Sequence, residues 1–202
     1  MFVDQELQKR VDIVRNYENH FAHELATTVI QKPKLTVWMF LVPILFIYHA
    51  NQIKRFKENL ANFQQGFTKT KLHALEQCNE ELAQGRKKQE QDLDLFADSG
   101  LDGPNIKELR RKQLEEIQLL MGHYRSLLSR SGPDYASLVR SAYKSRHDFQ
   151  IFLRRLNEAE IAVNKAALRA FHNDDESRRV VSEIEKNSAL LRQEEARKIF
   201  NS

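Results

Sequence analysis

Along most of this chain apolar side chains recur at steps of three and four, the period of an α-helix buried on one side. Leu7, Val11, Val14, Tyr17, Phe21, Leu25 and Thr28 mark such a stripe through residues 2–31, opposite Gln8, Lys9, Asp12, Arg15 and Asn19. Pro33 ends that helix, because the residue before a proline disfavours helical dihedrals. A second stripe, Phe56, Leu60, Phe63, Phe67, Thr70, Ala74, Cys78 and Glu81/Leu82, predicts a helix from residue 54 to about residue 97. Gly66 and Gly85 lie inside it, each less favourable than Ala by about 1 kcal/mol in a helix interior. The stripe fades after Leu82, where Gln84 to Asp94 are almost wholly polar.

Segment 98–105 is the clearest turn. Asp102 or Gly103 suits a cap there, and Pro104 suits a first helical turn. A third helix follows to about Arg130, on Ile106, Leu109, Leu114, Ile117, Leu120/Met121, Tyr124 and Leu127/Leu128. Gly132, Pro133 and Asp134 repeat the turn chemistry. The next stretch, from Pro133 to Phe171, reads as one helix with a heptad seam. Tyr135, Ala142, Phe149, Leu156, Val163 and Ala170 lie seven apart, and Leu138, Ser145, Phe152, Ala159 and Ala166 follow at steps of three. Asn173 to Glu176 resemble a capping box opening a last helix to about Phe200. Its stripe of Val180, Ile184 and Leu191 is sparse, so it is expected to depend on a neighbour for order.

One stretch breaks the pattern. Residues 35–53 carry no charged side chain, in a chain that is 30% charged. A water-exposed helix needs a wet face, so contact with a lipid bilayer is expected. Leu35, Trp38, Phe40, Leu41, Pro43, Ile44, Phe46 and Tyr48 are the expected insertion residues, with the aromatic ones suited to the lipid–water boundary. Two geometries compete. A helix over the whole stretch reaches about 28 Å, close to a bilayer's hydrocarbon thickness of about 30 Å. Lys54, Arg55 and Lys57 follow it, a bias that keeps the large C-terminal part cytoplasmic. Alternatively the segment dips in and returns. Its strongly apolar part ends at Tyr48, Pro43 bends it near the middle, and basic residues flank both ends. A return also lets the stripes before and after it zip together as an antiparallel pair, whereas a span separates them.

The expected class is therefore all-α: long helices in hairpins or a coiled-coil-like bundle, with one membrane-inserted segment. The division is an N-terminal amphipathic helix (1–33), the inserted segment (34–53), a long amphipathic helix (54–98) and a C-terminal helical domain (99–202). Good helix formers dominate, and no alternating β-branched run suggests a sheet. Mean hydropathy is −0.60 even with the uncharged stretch included, which favours thin apolar seams over a large core.

The net charge of +4 sits within residues 99–202, mixed with acids, so no nucleic-acid partner is expected. Residues 1–31 carry five acids and do not read as a cleavable signal. The single cysteine, Cys78, falls on an apolar stripe, a poor place for a nucleophile. No phosphate-binding glycine loop or nucleophile elbow occurs. His20, His23 and Glu24 form the one metal-like cluster, with His20 and Glu24 on one helix face. The motif is not HExxH, and no second Glu-x-x-His completes a di-iron set. No metal, cofactor or catalytic residue is therefore expected. The expected function is a membrane-anchored, non-enzymatic scaffold. Tyr135, Leu138, Phe149, Phe152, Leu156 and Val163 are its expected seam for self-association or for a protein of a membrane complex. The alternative is an accessory subunit of a membrane enzyme, with a cofactor near His20 and His23.

Overall fold

The computed structural model describes residues 2–30, 56–87, 93–94, 100–171 and 175–201. Among them are six α-helices and no strand: α1 (Phe2–Ile30), α2 (Phe56–Gln84), α3 (Pro104–Leu128), α4 (Tyr135–Ala142), α5 (Arg146–Ala170) and α6 (Asp175–Phe200). The all-α class is as the periodicity predicts.

Helix boundaries follow local chemistry. Gly85, at φ 65°, lies just past the end of α2. Only glycine adopts that left-handed conformation without a Cβ penalty, so a residue expected inside a longer helix acts as its terminator. Pro104 sits in the first turn of α3 behind Gly103. Asp134 caps α4, accepting from the Ser137 backbone N–H at 2.8 Å and from its hydroxyl at 2.6 Å.

The expected single helix from Pro133 to Phe171 is two helices. Chain direction changes at Tyr143, Lys144 and Ser145, and Ser145 caps α5. Its Oγ accepts from the Asp148 N–H at 3.1 Å and donates to the Asp148 carboxylate at 2.8 Å. Such an S-x-x-D box satisfies orphan N–H groups at a helix start, and it outweighs a heptad register that runs through the break.

The helices close into a ring. α1 packs on α2, α2 on α3, α3 on α5, α5 on α6, and α6 back on α1, while α4 touches α3, α6 and α1. Cross-helix pairs give the directions. His23 meets Gln64 and Phe21 meets Phe67, so α1 and α2 run antiparallel. Thr70 meets Gln113 and Glu81 meets Arg125, so α2 and α3 run parallel. Asn105 reaches Arg169 while His123 stacks on Phe152, so α3 and α5 are antiparallel. Asn164 meets Glu185 and Phe149 meets Phe200, so α5 and α6 are antiparallel as well. Ile30 and Phe56 therefore lie at the same end of the bundle.

The main core draws on every helix. It includes Val11 and Val14 of α1, Leu75 and Cys78 of α2, Ile117 and Tyr124 of α3, Leu138 of α4, Phe149 and Leu156 of α5, and Ala196 and Ile199 of α6. Leu93, from the stretch read as polar, is 4% exposed and joins it. Phe21, Leu25, Ala26 and Ile184 form a smaller α1–α6 cluster. The C-terminal helices thus share one core with the N-terminal pair rather than forming a seam of their own.

Candidate functional site

Five helices each bring an ionisable side chain onto the buried face: Glu18 from α1, Lys71 from α2, Glu116 from α3, Glu160 from α5 and Arg192 from α6. Glu18, Lys71, Glu116 and Arg192 are 6%, 3%, 4% and 3% exposed. Each lies on its helix's apolar stripe, Glu18 between Val14 and Phe21 and Arg192 between Ser188 and Ala196. The stripe that turns apolar groups inward turns these inward too.

Glu160 is the hub. Its carboxylate receives Lys71 Nζ at 2.8 Å and both terminal nitrogens of Arg192, at 2.6 and 2.7 Å. That fork-to-fork pair is the strongest geometry available to a guanidinium and a carboxylate. Arg192 also donates to Asn157 Oδ1 and lies 5.3 Å from the Phe21 ring centroid. Lys71 sits 3.9 Å over the Phe67 ring. Burial alone would raise the Glu160 pKa, but the two cations overcome it and hold it at about 2.

The other carboxyls have no such partner. Among the described residues neither Glu18 nor Glu116 forms an ion pair. Burial, opposed by Lys71 and reinforced by the Glu160 charge, pushes Glu116 up to about 7. Glu18 is raised as well, by burial, although it accepts from the Tyr124 hydroxyl at 2.8 Å and feels Lys71. Toward α4, Glu195 accepts from Tyr17, whose ring stacks on Tyr135 at 3.5 Å. Burial pushes Glu195 to about 7 against the Tyr17 hydrogen bond, with Glu24 and Glu18 adding repulsion.

His123 lies nearby in an aromatic setting. Its Nδ1 is 2.7 Å from the Tyr143 hydroxyl and its ring stacks on Phe152 at 4.1 Å. Burial lowers its pKa to about 3, so it is a neutral imidazole. It forms the floor of an open groove of about 370 Å³ between α3 and α5, whose walls include Leu119, Gly122, Ile151 and Arg155.

The expected seam residues are inside the bundle. Leu138, Phe149, Phe152, Leu156 and Val163 are all buried, and Tyr135 is half-buried against Tyr17. Their partners are α1, α3 and α6 of the same chain, because the break at Ser145 folds the heptads back onto the bundle. In this fold they pack within the chain's own bundle. The metal-like residues are at the surface. His20 Nε2 is 3.9 Å from Glu24 Oε1, both well exposed, and His23 is occupied by Gln64 at 2.6 Å. Among the described residues no group of three or more His, Cys, Asp or Glu side chains could hold a metal. The expected insertion residues Leu35, Trp38, Phe40, Leu41, Pro43, Ile44, Phe46 and Tyr48 lie outside the described residues, and no described helix is long and apolar enough to cross a membrane.

The central ion cluster escapes a search for motifs, because its members lie on five elements. A signal exists for it: Glu18, Lys71, Glu116, Glu160 and Arg192 are charges on an apolar stripe, where a solvated charge does not belong. Such an assembly can hold protons and fix helix register, and it contains no nucleophile–base pair. Comparison with known proteins returns no match: no family model, no curated protein and no solved structure is similar to this chain.

Proposed function

We propose that this protein is a membrane-attached helical adaptor, held to a lipid bilayer by residues 35–48 and acting by binding rather than by catalysis. The observation that carries this reading is a pairing of sequence and fold. The uncharged stretch leaves from the end of α1 and returns at the start of α2, and those two helices lie antiparallel with Ile30 and Phe56 at one end. A single span would put α1 and α2 on opposite sides of the bilayer and separate their shared face. A segment of this length is too short for two full helical crossings, each needing about 20 residues. A shallow insertion that enters and leaves by the same leaflet meets both conditions, and the bundle then stands on the cytoplasmic surface. Partners bind the outer faces of the bundle, since the heptad seam is used within it.

Vesicle flotation of the full chain tests attachment. The wild type should float with anionic liposomes, and Phe40→Asp with Ile44→Asp should remain at the bottom. Equal recovery of both would end the proposal. Topology is read by labelling single cysteines at Gln5→Cys and Ser126→Cys in a Cys78→Ala background, in sealed vesicles. Both should react from one side, and opposite-side labelling would replace the insertion with a span.

A further inference from the structure

The bundle centre holds more carboxyl groups than cations: Glu18 and Glu116 are buried and Glu160 and Glu195 half-buried, against Lys71 and Arg192. Glu160 takes both Lys71 and Arg192. Glu18, Glu116 and Glu195 are left with tyrosine hydroxyls or with no ion pair at all. Buried charges persist only when paired, so a carboxyl without a cation keeps a proton instead. A second observation points the same way. Gln113 is 3% exposed, and its amide reaches Thr70 at 3.4 Å, yet its Oε1 has no donor. Gln113 precedes Glu116 by three residues on α3, the spacing at which side chains on one helix meet. A protonated Glu116 offers a donor on that same helix face; an ionised carboxylate has none.

We infer that the centre of the bundle is a proton-binding site, shared by Glu116 of α3 and Glu195 of α6, whose occupancy sets how tightly α6 is held against α1. Every helix facing it contributes a group. They are Tyr17, Glu18 and Glu24 from α1, Lys71 from α2, Tyr124 from α3, Tyr135 from α4, Glu160 from α5 and Arg192 from α6. Two of these are cations, and both are engaged by Glu160. When the protons leave, the new negative charges of Glu116 and Glu195 face Glu18, Glu160 and Glu24, and the cations acting on them, Lys71 and Arg192, are already bonded to Glu160. The α1–α6 contact, made by Phe21, Leu25, Ala26 and Ile184 and by the Tyr17–Glu195 hydrogen bond, then bears the repulsion.

The folded protein therefore binds protons that the unfolded chain releases, because both carboxyls are held near 7 in the fold and sit at an ordinary 4.5 without it. Stability from these groups is fully present below pH 4.5 and is lost as pH rises through 7. Proton release on unfolding, measured at pH 6 in weakly buffered solution with the full chain, tests this directly. The wild type should release about two more protons than Glu116→Gln with Glu195→Gln, and about one more than Glu116→Gln alone. Hydrogen exchange in α6, corrected for intrinsic rate, should rise between pH 6 and 8.5 in the wild type and stay level in the double variant. Equal proton release by wild type and single variant would overturn the site. Parallel exchange profiles would overturn its control of α6.

Discussion

Glu160 shows how one side chain can decide the state of its neighbours. It bonds to both Lys71 and Arg192, which lowers the cost of burying those two cations. Removing it leaves Lys71 and Arg192 inside the bundle without their bonded carboxylate. Glu160→Ala should therefore lower unfolding free energy by about 3–5 kcal/mol in urea titration, far beyond the loss of its few methylenes. Its pH dependence runs opposite to that of Glu116. The Glu160 pKa is held below its unfolded value, so its contribution is present above pH 4.5 and lost as pH falls toward 2. Cys78 supplies a probe of the same interior. It is fully buried and its thiol is pushed up to about 11. Labelling by a thiol reagent should be slow in the folded chain and fast in denaturant, and rapid native labelling would show that α2 opens readily.

At the scale of the element, the break between α4 and α5 changes the meaning of the heptads. A seven-residue apolar repeat is compatible with a long coiled coil or with two helices folded on one core, and periodicity alone does not separate them. Ser145 and Asp148 do, through the cap they build together. Ser145→Ala should cost about 1 kcal/mol by urea titration, the usual loss for an N-cap hydroxyl. The buried seam yields a sharper test. Phe149→Asp with Leu156→Asp should abolish cooperative unfolding, because both positions lie in the core against the chain's own helices. An intact monomer with altered partner recovery would instead return the seam to the surface. Gly85→Ala should destabilise by about 1 kcal/mol, from the left-handed conformation rather than from crowding, since nothing lies within 4 Å of a Cβ built there.

Over the whole molecule, ring closure is what brings α1 beside α6 and gathers charges from five helices into one cluster. The helical class, the stripes, the turn at Gly103–Pro104 and the cap at Asp134 are legible in the residues, because each is a local matter of period, dihedral preference and orphan N–H groups. So is the uncharged stretch at 35–53, since the lack of charge is a property of composition. The parallel course of α2 and α3 is not legible, nor is the use of the heptads within one chain. Both depend on which stripe finds which, and many pairings satisfy the same spacing. The central cluster is intermediate. A charge on an apolar stripe is visible in each helix taken alone, at Glu18, Lys71, Glu116, Glu160 and Arg192. That Glu160 takes both cations and leaves Glu18 and Glu116 without an ion pair among the described residues is decided by distances of a few ångströms between distant parts of the chain, which only the folded arrangement sets.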